Sequence, residues 1–273
     1  GHFLSREVMN DYVTSHVDQV VSIHEYALYD QARYGFPGVN QQICWLDALD
    51  DCGSFASALL EVMKDYEIPE GDVISAMVAD YMKDRQQRME DGTFYRNHSY
   101  LPVMNETIWA DDLYMSVPFL CRYYKRSGDE CWLKEAAGQL KRIFGYLYMP
   151  EEGVLSHIYD THYGVQTKVP WGRGNGWALF SAAELLSVMP KEHENREEIL
   201  DIYRTLYTKI GLFRDISIAD KKMSDLANRS HAVMLRSILD GNTSKALHIV
   251  KKHLQESEEK VISYYRGSRK EGA

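Results

Sequence analysis

The sequence predicts an essentially all-α protein assembled from helical hairpins. Three observations carry this. Apolar residues recur at helical rather than strand spacing along most of the 273 residues, and only seven prolines interrupt them. Strand-like alternation is scarce. A tryptophan-led motif also returns at a nearly constant interval, at Trp45, Trp109 and Trp171. The intervals, 64 and 62 residues, each hold two helices and their loops.

Taken in order, Ser5–Tyr29 places Val8, Tyr12, Val13, Val17, Val20, Val21 and Ile23 on helical spacing. Residues 47–66 form a second helix with small residues in its first half, which permits close packing or approach of a ligand. Residues 70–90 form a third, with Val73, Met77, Val78, Tyr81 and Met82 in line. From Trp109 to Lys125 the stripe is Leu113, Val117, Leu120 and Tyr124. Residues 129–148, 175–189, 194–210 and 220–264 continue the pattern, the last broken at Asp240-Gly241-Asn242. Residues 153–169 read as a long loop with some extended character. No linker is visible, so residues 1–273 read as one domain. A composition 45% hydrophobic and 26% charged supplies ample core for it. If successive hairpins pack side by side, every second helix starts at the same end, and the three tryptophan motifs converge there.

Charge excludes some functions. With 31 Lys+Arg against 40 Asp+Glu the net charge is −9, a field that repels phosphate backbones. The one short basic run is R-G-S-R-K near residue 270. Nucleic acid is therefore not an expected partner. Nor is a membrane, since no apolar run approaches the roughly 18 residues a span needs. Cys44, Cys52, Cys121 and Cys131 show neither C-x-x-C nor zinc-ligand spacing and read as buried thiols. That points to a reducing, cytoplasmic setting, or a periplasmic one if a signal peptide has been removed.

The chemistry-bearing residues cluster in the motifs. W-A-D-D-L-Y-M sets Asp111 and Asp112 side by side at a helix start, roughly 100° apart around its axis. One of them can face a pocket while the other caps or packs. The same end gathers Asp47, Asp50 and Asp51 from the preceding unit. Carboxylates from separate helices in an apolar, aromatic setting raise one another's proton affinity, and such pairs perform acid/base work on sugars. W-G-R-G-N-G-W offers Trp171 and Trp177 as stacking faces and Arg173 as a fork for a carboxylate. Its alternating glycines predict unusual backbone angles or close approach of the backbone to a ligand. It is not a dinucleotide fingerprint, because no strand precedes a G-x-G-x-x-G. His98 and His157 each stand before a pocket-end segment. His157, Asp160 and His162 spell H-x-x-D-x-H, but nothing else in the chain asks for a metal, and neither metal nor cofactor is expected.

These motifs resemble a known family. W-A-D-D-L-Y-M-S-V-P-F-L together with W-G-R-G-N-G-W-A-L is similar to the unsaturated glucuronyl and rhamnogalacturonyl hydrolases, glycoside hydrolase families 88 and 105, and more closely 105. C-W-L-D-A-L-D-D-C-G and G-x-x-x-H-x-Y-D fit as well, so the likeness spans roughly residues 40–190. It implies an (α/α)6 barrel, here shortened at its C-terminal end. There Ile216-Ser217-Ile218-Ala219 follows Asp215 directly, where the family has a loop of site residues. The implied reaction removes a Δ4,5-unsaturated uronic acid from lyase-generated oligosaccharides by hydrating its C4=C5 bond. The resemblance maps the acid onto Asp111, with Asp112 the weaker candidate. It places the second carboxylate in D-D-C-G, at Asp51 in preference to Asp50. It makes Trp171, Arg173, Trp177 and His157 substrate contacts, with His98 a looser match. Met115, which closes the W-A-D-D-L-Y-M motif, is taken as a further contact. Two other readings stand beside this one. The first is an α/α-barrel glycosidase acting on neutral sugars through a conventional carboxylate pair. The second is a non-catalytic sugar-binding repeat, which predicts Asp111 and Arg173 in unrelated places.

Overall fold

The structure, a computed structural model, describes residues 6–97, 102–219 and 221–268. It is all-α in its core, as expected, with ten α-helices among the described residues. Two compact units divide at Leu206–Tyr207.

The first unit opens with α1 (Arg6–Ser22) and α2 (His24–Tyr34). The sequence reads these as one helix, but the chain breaks at Ile23, and Tyr12 and Ile23 point to solvent while Val17, Val20 and Val21 are buried. The helix α3 (Leu49–Val62) is followed by α4 (Gly71–Asp80), which widens into a π-turn over Tyr81–Arg85 and then stops. The expected helix to residue 90 therefore ends early, and Val73 is exposed rather than in the buried line. Next come α5 (Asp111–Ser127), α6 (Glu130–Leu147), α7 (Gly172–Val188) and α8 (Arg196–Ala219), the last running across the division. In the second unit α9 (Lys221–Leu239) packs on α10 (Thr243–Ser268) across the predicted break, where Gly241 takes a left-handed φ of 68°.

Helix α3 packs on α5, and α5 packs on α7. The α5 stripe behaves as its spacing predicts, with Leu113, Val117 and Leu120 fully buried. Small residues allow the close crossing: a Cβ added to Gly53 would lie 1.6 Å from the Met115 carbonyl oxygen, so only glycine fits. The starts of α3, α5 and α7 thus lie along one end of the hairpin array.

Short strands fill the connections. β1 (Thr107–Trp109), β4 (Ile158–Asp160) and β5 (Val165–Gln166) form an antiparallel sheet, and β2 (Tyr148–Met149) pairs with β3 (Val154–Leu155). Three of them fall in the segment that the sequence marks as extended.

Of the cysteines, Cys44, Cys52 and Cys121 are buried and carry free thiols; burial pushes all three thiols up from the ordinary value. Cys131 is exposed, against expectation, because it falls in the first turn of α6 on the solvent side of the Asp129 cap. No helix among the described residues is long and apolar enough to cross a membrane.

Candidate active site

One three-residue strand organises the site. β1 leads directly into α5, and its two edges carry different partners. On one edge β4 pairs with it, Trp109 opposite Ile158, and the Ala110 N–H donates to the His157 carbonyl at 2.9 Å. This sets His157 beside the first residue of α5. On the other edge Arg96 pairs with Thr107 through N–H···O bonds of 2.9 and 3.3 Å. This sets Arg96 beside the second residue of α5. The doubling of Asp111 and Asp112 follows: each carboxylate meets a partner delivered by its own edge of the strand.

Asp111 Oδ2 lies 3.0 Å from His157 Nε2, with the two side chains 13% and 22% exposed. The imidazole stands edge-on to Trp109, ring centres 4.9 Å apart, and tilts against Trp171 at 4.4 Å. Trp171 in turn meets Trp177 edge-on at 5.6 Å, and the Arg173 guanidinium lies over both indoles, 4.0 and 5.0 Å from their centres. Arg173 is exposed in the first turn of α7, the end where helix peptides favour an anion. No carboxylate among the described residues pairs with it. A cation at a helix N-terminus, flanked by free backbone N–H groups, is a seat for a carboxylate.

Asp112 is 2% exposed and accepts from Arg96 Nη2 at 2.7 Å and Nε at 3.2 Å. The same guanidinium reaches Asp50 at 2.8 Å through Nη1 and lies over Trp109 at 4.7 Å. Burial opposes the charge of Arg96, but Asp112, Asp50 and Asp111 outweigh it and hold its pKa above the ordinary value. Burial, helped by the Asp112 charge, pushes the Asp50 carboxyl up despite Arg96. Asp51 accepts from the Asp47 and Ala48 N–H groups, both at 3.0 Å, and so closes the start of α3. Burial likewise raises its pKa against those two bonds. Trp45, Asp50, Asp51, Tyr95, Arg96 and Asp112 all line a cavity of about 580 Å³ with several neutral amides. A hollow of similar size at the far end of α3 contains none of the candidate residues.

Asp111, Asp112, Asp50, Asp51, His157, Trp171, Arg173 and Trp177 thus fall at the starts of α3, α5 and α7 or against them. Met115 is half-buried within α5, with its backbone against Gly53. His98 lies outside the described residues. The H-x-x-D-x-H residues separate: His157 goes to Asp111, Asp160 accepts from the Tyr163 N–H, and His162 approaches Glu106. The unusual backbone angles expected of these glycines are corrected. Gly172, Gly174 and Gly176 have ordinary helical angles, because α7 begins at Gly172. Gly174 is close to Ala110 and Trp171, while Gly172 and Gly176 face open space.

Sequence reasoning passed over Arg96 and Asn175. The F-Y-R-N-H segment drew attention only to its histidine. Asn175 accepts from the Leu155 N–H and donates to the Leu155 and Trp171 carbonyls, bonds of 2.8–3.1 Å that fix the start of α7 to β3. Asn175→Ala strands those buried backbone groups and is expected to cost about 2–3 kcal/mol in thermal or denaturant melting. Unchanged stability would show that water replaces the amide.

An all-α hairpin array with these groups at one end falls in the (α/α)6-barrel class. The family model for Glycosyl Hydrolase Family 88 matches residues 7–217, and the chain belongs to that family. An unsaturated 3S-rhamnoglycuronyl hydrolase of Alteromonas sp. is 25% identical over 99 residues, covering 35% of this chain and 24% of that protein. A C. acetobutylicum glycoside hydrolase from family 105 shares the fold, with a TM-score of 0.51 at 20% identity, over 80% of this chain and 64% of that one. A possible family 105 member from Klebsiella pneumoniae does so with a TM-score of 0.54 at 14% identity, over 93% and 81%. The matched region therefore spans about a quarter of the curated relative and just under two thirds of the C. acetobutylicum structure.

Proposed function

We propose that this protein is a glycoside hydrolase that removes a Δ4,5-unsaturated uronic acid from the non-reducing end of an oligosaccharide. The observation that carries the reading is the unbroken contact series Asp111–His157–Trp171–Arg173. It joins a proton-handling carboxylate to a stacking face and an uncompensated cation. A non-catalytic repeat has no need of that series, and a glycosidase for neutral sugars has no need of the cation.

In this reading Arg173 and the start of α7 hold the uronate carboxylate, and the indoles of Trp171 and Trp177 flank the flattened ring. Asp111 gives its proton to C4 as a general acid, with His157 fixing the carboxyl and sharing the proton. The electron pair of the C4=C5 bond forms the new C4–H bond, and water adds at C5, giving up a proton that returns to the Asp111 carboxylate. Asp51, held rigid by two backbone N–H groups, orients that water. The C5 hemiketal opens to a ketone, leaving C1 as an open-chain hemiacetal that collapses to an aldehyde and releases the remaining saccharide as an alcohol. The cavity beside Asp50 and Trp45 receives that saccharide.

Arg173→Lys keeps a charge but loses the planar fork, so KM should rise about tenfold, some 1.4 kcal/mol, with kcat nearly unchanged. Methyl esterification of the uronate should have a similar effect on the wild type. If esterified and free substrates react equally, the carboxylate seat is wrong and the neutral-sugar reading gains.

A further inference from the structure

We infer that Arg96 is a positioning residue for the Asp111 acid. It acts by clamping the starts of α3 and α5 through Asp50 and Asp112. This deepens the proposed hydrolase reading and rests on it. Arg96 is 10% exposed and uses every nitrogen of its guanidinium: Nη1 and Nη2 toward Asp50 at 2.8 and 3.3 Å, Nη2 and Nε toward Asp112 at 2.7 and 3.2 Å. Its backbone is pinned to Thr107 and its face lies over Trp109. A residue so fully engaged is not free to bind substrate. It touches neither Asp111 nor any reacting atom, yet it fixes the residue next to Asp111 in the chain and the strand that leads into it. One cation thus bridges two helices that each contribute a candidate carboxylate.

The second effect is electrostatic. The charged and titratable groups that share this end of the array with Asp111 are Asp47, Asp50 and Asp51 at the start of α3, Asp112 beside it, His157 from the β3–β4 segment and Arg173 at the start of α7. Four of the six are acids. Arg96 supplies the countercharge for two of them, the buried Asp112 and the more exposed Asp50. Without it, Asp50 and Asp112 face each other uncompensated, and the Asp50 carboxyl, which burial and the Asp112 charge already push up, loses the cation that opposes that rise. Arginine is suited to this role because its planar fork holds two carboxylates in fixed, paired geometry, which an ammonium does not.

The test compares wild type, Arg96→Gln and Arg96→Lys in the full chain. Melting curves first establish that each variant folds. With lyase-generated unsaturated disaccharides, Arg96→Gln should lose about 100-fold in kcat with a smaller change in KM, as expected for a misplaced acid. One limb of its pH profile should move to higher pH, because Asp50 loses the cation that opposes its protonation. Arg96→Lys should keep the wild-type limb and recover part of kcat. A lower melting temperature with kcat and pH profile unchanged would reduce Arg96 to a structural residue and overturn the inference.

A second measurement needs no substrate. In protein carrying ¹³C-labelled aspartate carboxyls, Arg96→Gln should show one more aspartate titrating above the ordinary carboxylate range than the wild type. If the wild type turns over no unsaturated disaccharide, the hydrolase reading fails, and the carboxyl count still decides the role of Arg96. An extra titration upholds the clamp; an unchanged count removes it.

Discussion

Asp111→Asn should leave a folded protein whose turnover of unsaturated disaccharides falls by about 10²–10⁴-fold, the usual contribution of a general acid. The substitution is nearly isosteric, and an amide can keep the contact with His157 that is 3.0 Å in the native protein. Loss of activity would therefore report loss of a transferable proton. Asp112→Asn should behave differently. Asp112 is buried against Arg96, so weakening that ion pair should appear as lower stability as well as lower rate. The neighbouring pair thus gives an internal control. Equal activity losses with equal melting temperatures would mean that the two acids share one role, contrary to the division made here.

The second large effect is expected at a residue without a side chain. Gly53→Ala puts a methyl group 1.6 Å from the Met115 carbonyl oxygen and 2.6 Å from its carbonyl carbon. The obstruction is backbone inside α5, so no side-chain rotation relieves it, and α3 must move away from α5. The expected cost is about 3 kcal/mol or more, which in a unit of this size lowers Tm by about 6–12 °C. Because α3 and α5 carry Asp50, Asp51, Asp111 and Asp112 at their starts, activity should fall even at temperatures where the variant is folded. Gly176→Ala is the matching control: nothing lies within 4 Å of the added Cβ, and alanine suits a helix better than glycine. A Gly53→Ala protein as stable as the wild type would mean that the helix crossing is looser than described.

The fold was largely legible because its helices are long and amphipathic. The α5 stripe and the two tryptophan intervals were enough to predict an array with its site at one end. The strands were not, because pieces of two or three residues are too short for alternation to register. That mattered for the site, since β1 is what sets His157 on one side of α5 and Arg96 on the other. The acids and the W-G-R-G-N-G-W motif were visible as residue types at unusual density. Arg96 was not, because a single arginine in F-Y-R-N-H gains meaning only when pairing with Thr107 carries it to Asp112 and Asp50. The backbone angles of the alternating glycines were misread for a related reason. Close approach at Gly174 is to Ala110 and Trp171 within the fold, which no local pattern reveals.

The measurement that bears most directly on the account is the ultraviolet absorbance of the conjugated C4=C5–carboxylate group, followed while the protein acts on lyase-generated disaccharides. Hydration of the double bond predicts that the absorbance disappears in step with release of the second sugar, and that Asp111→Asn abolishes both. Release of the sugar with the absorbance intact would mean attack at the glycosidic bond itself, and would contradict the hydration chemistry proposed for this site.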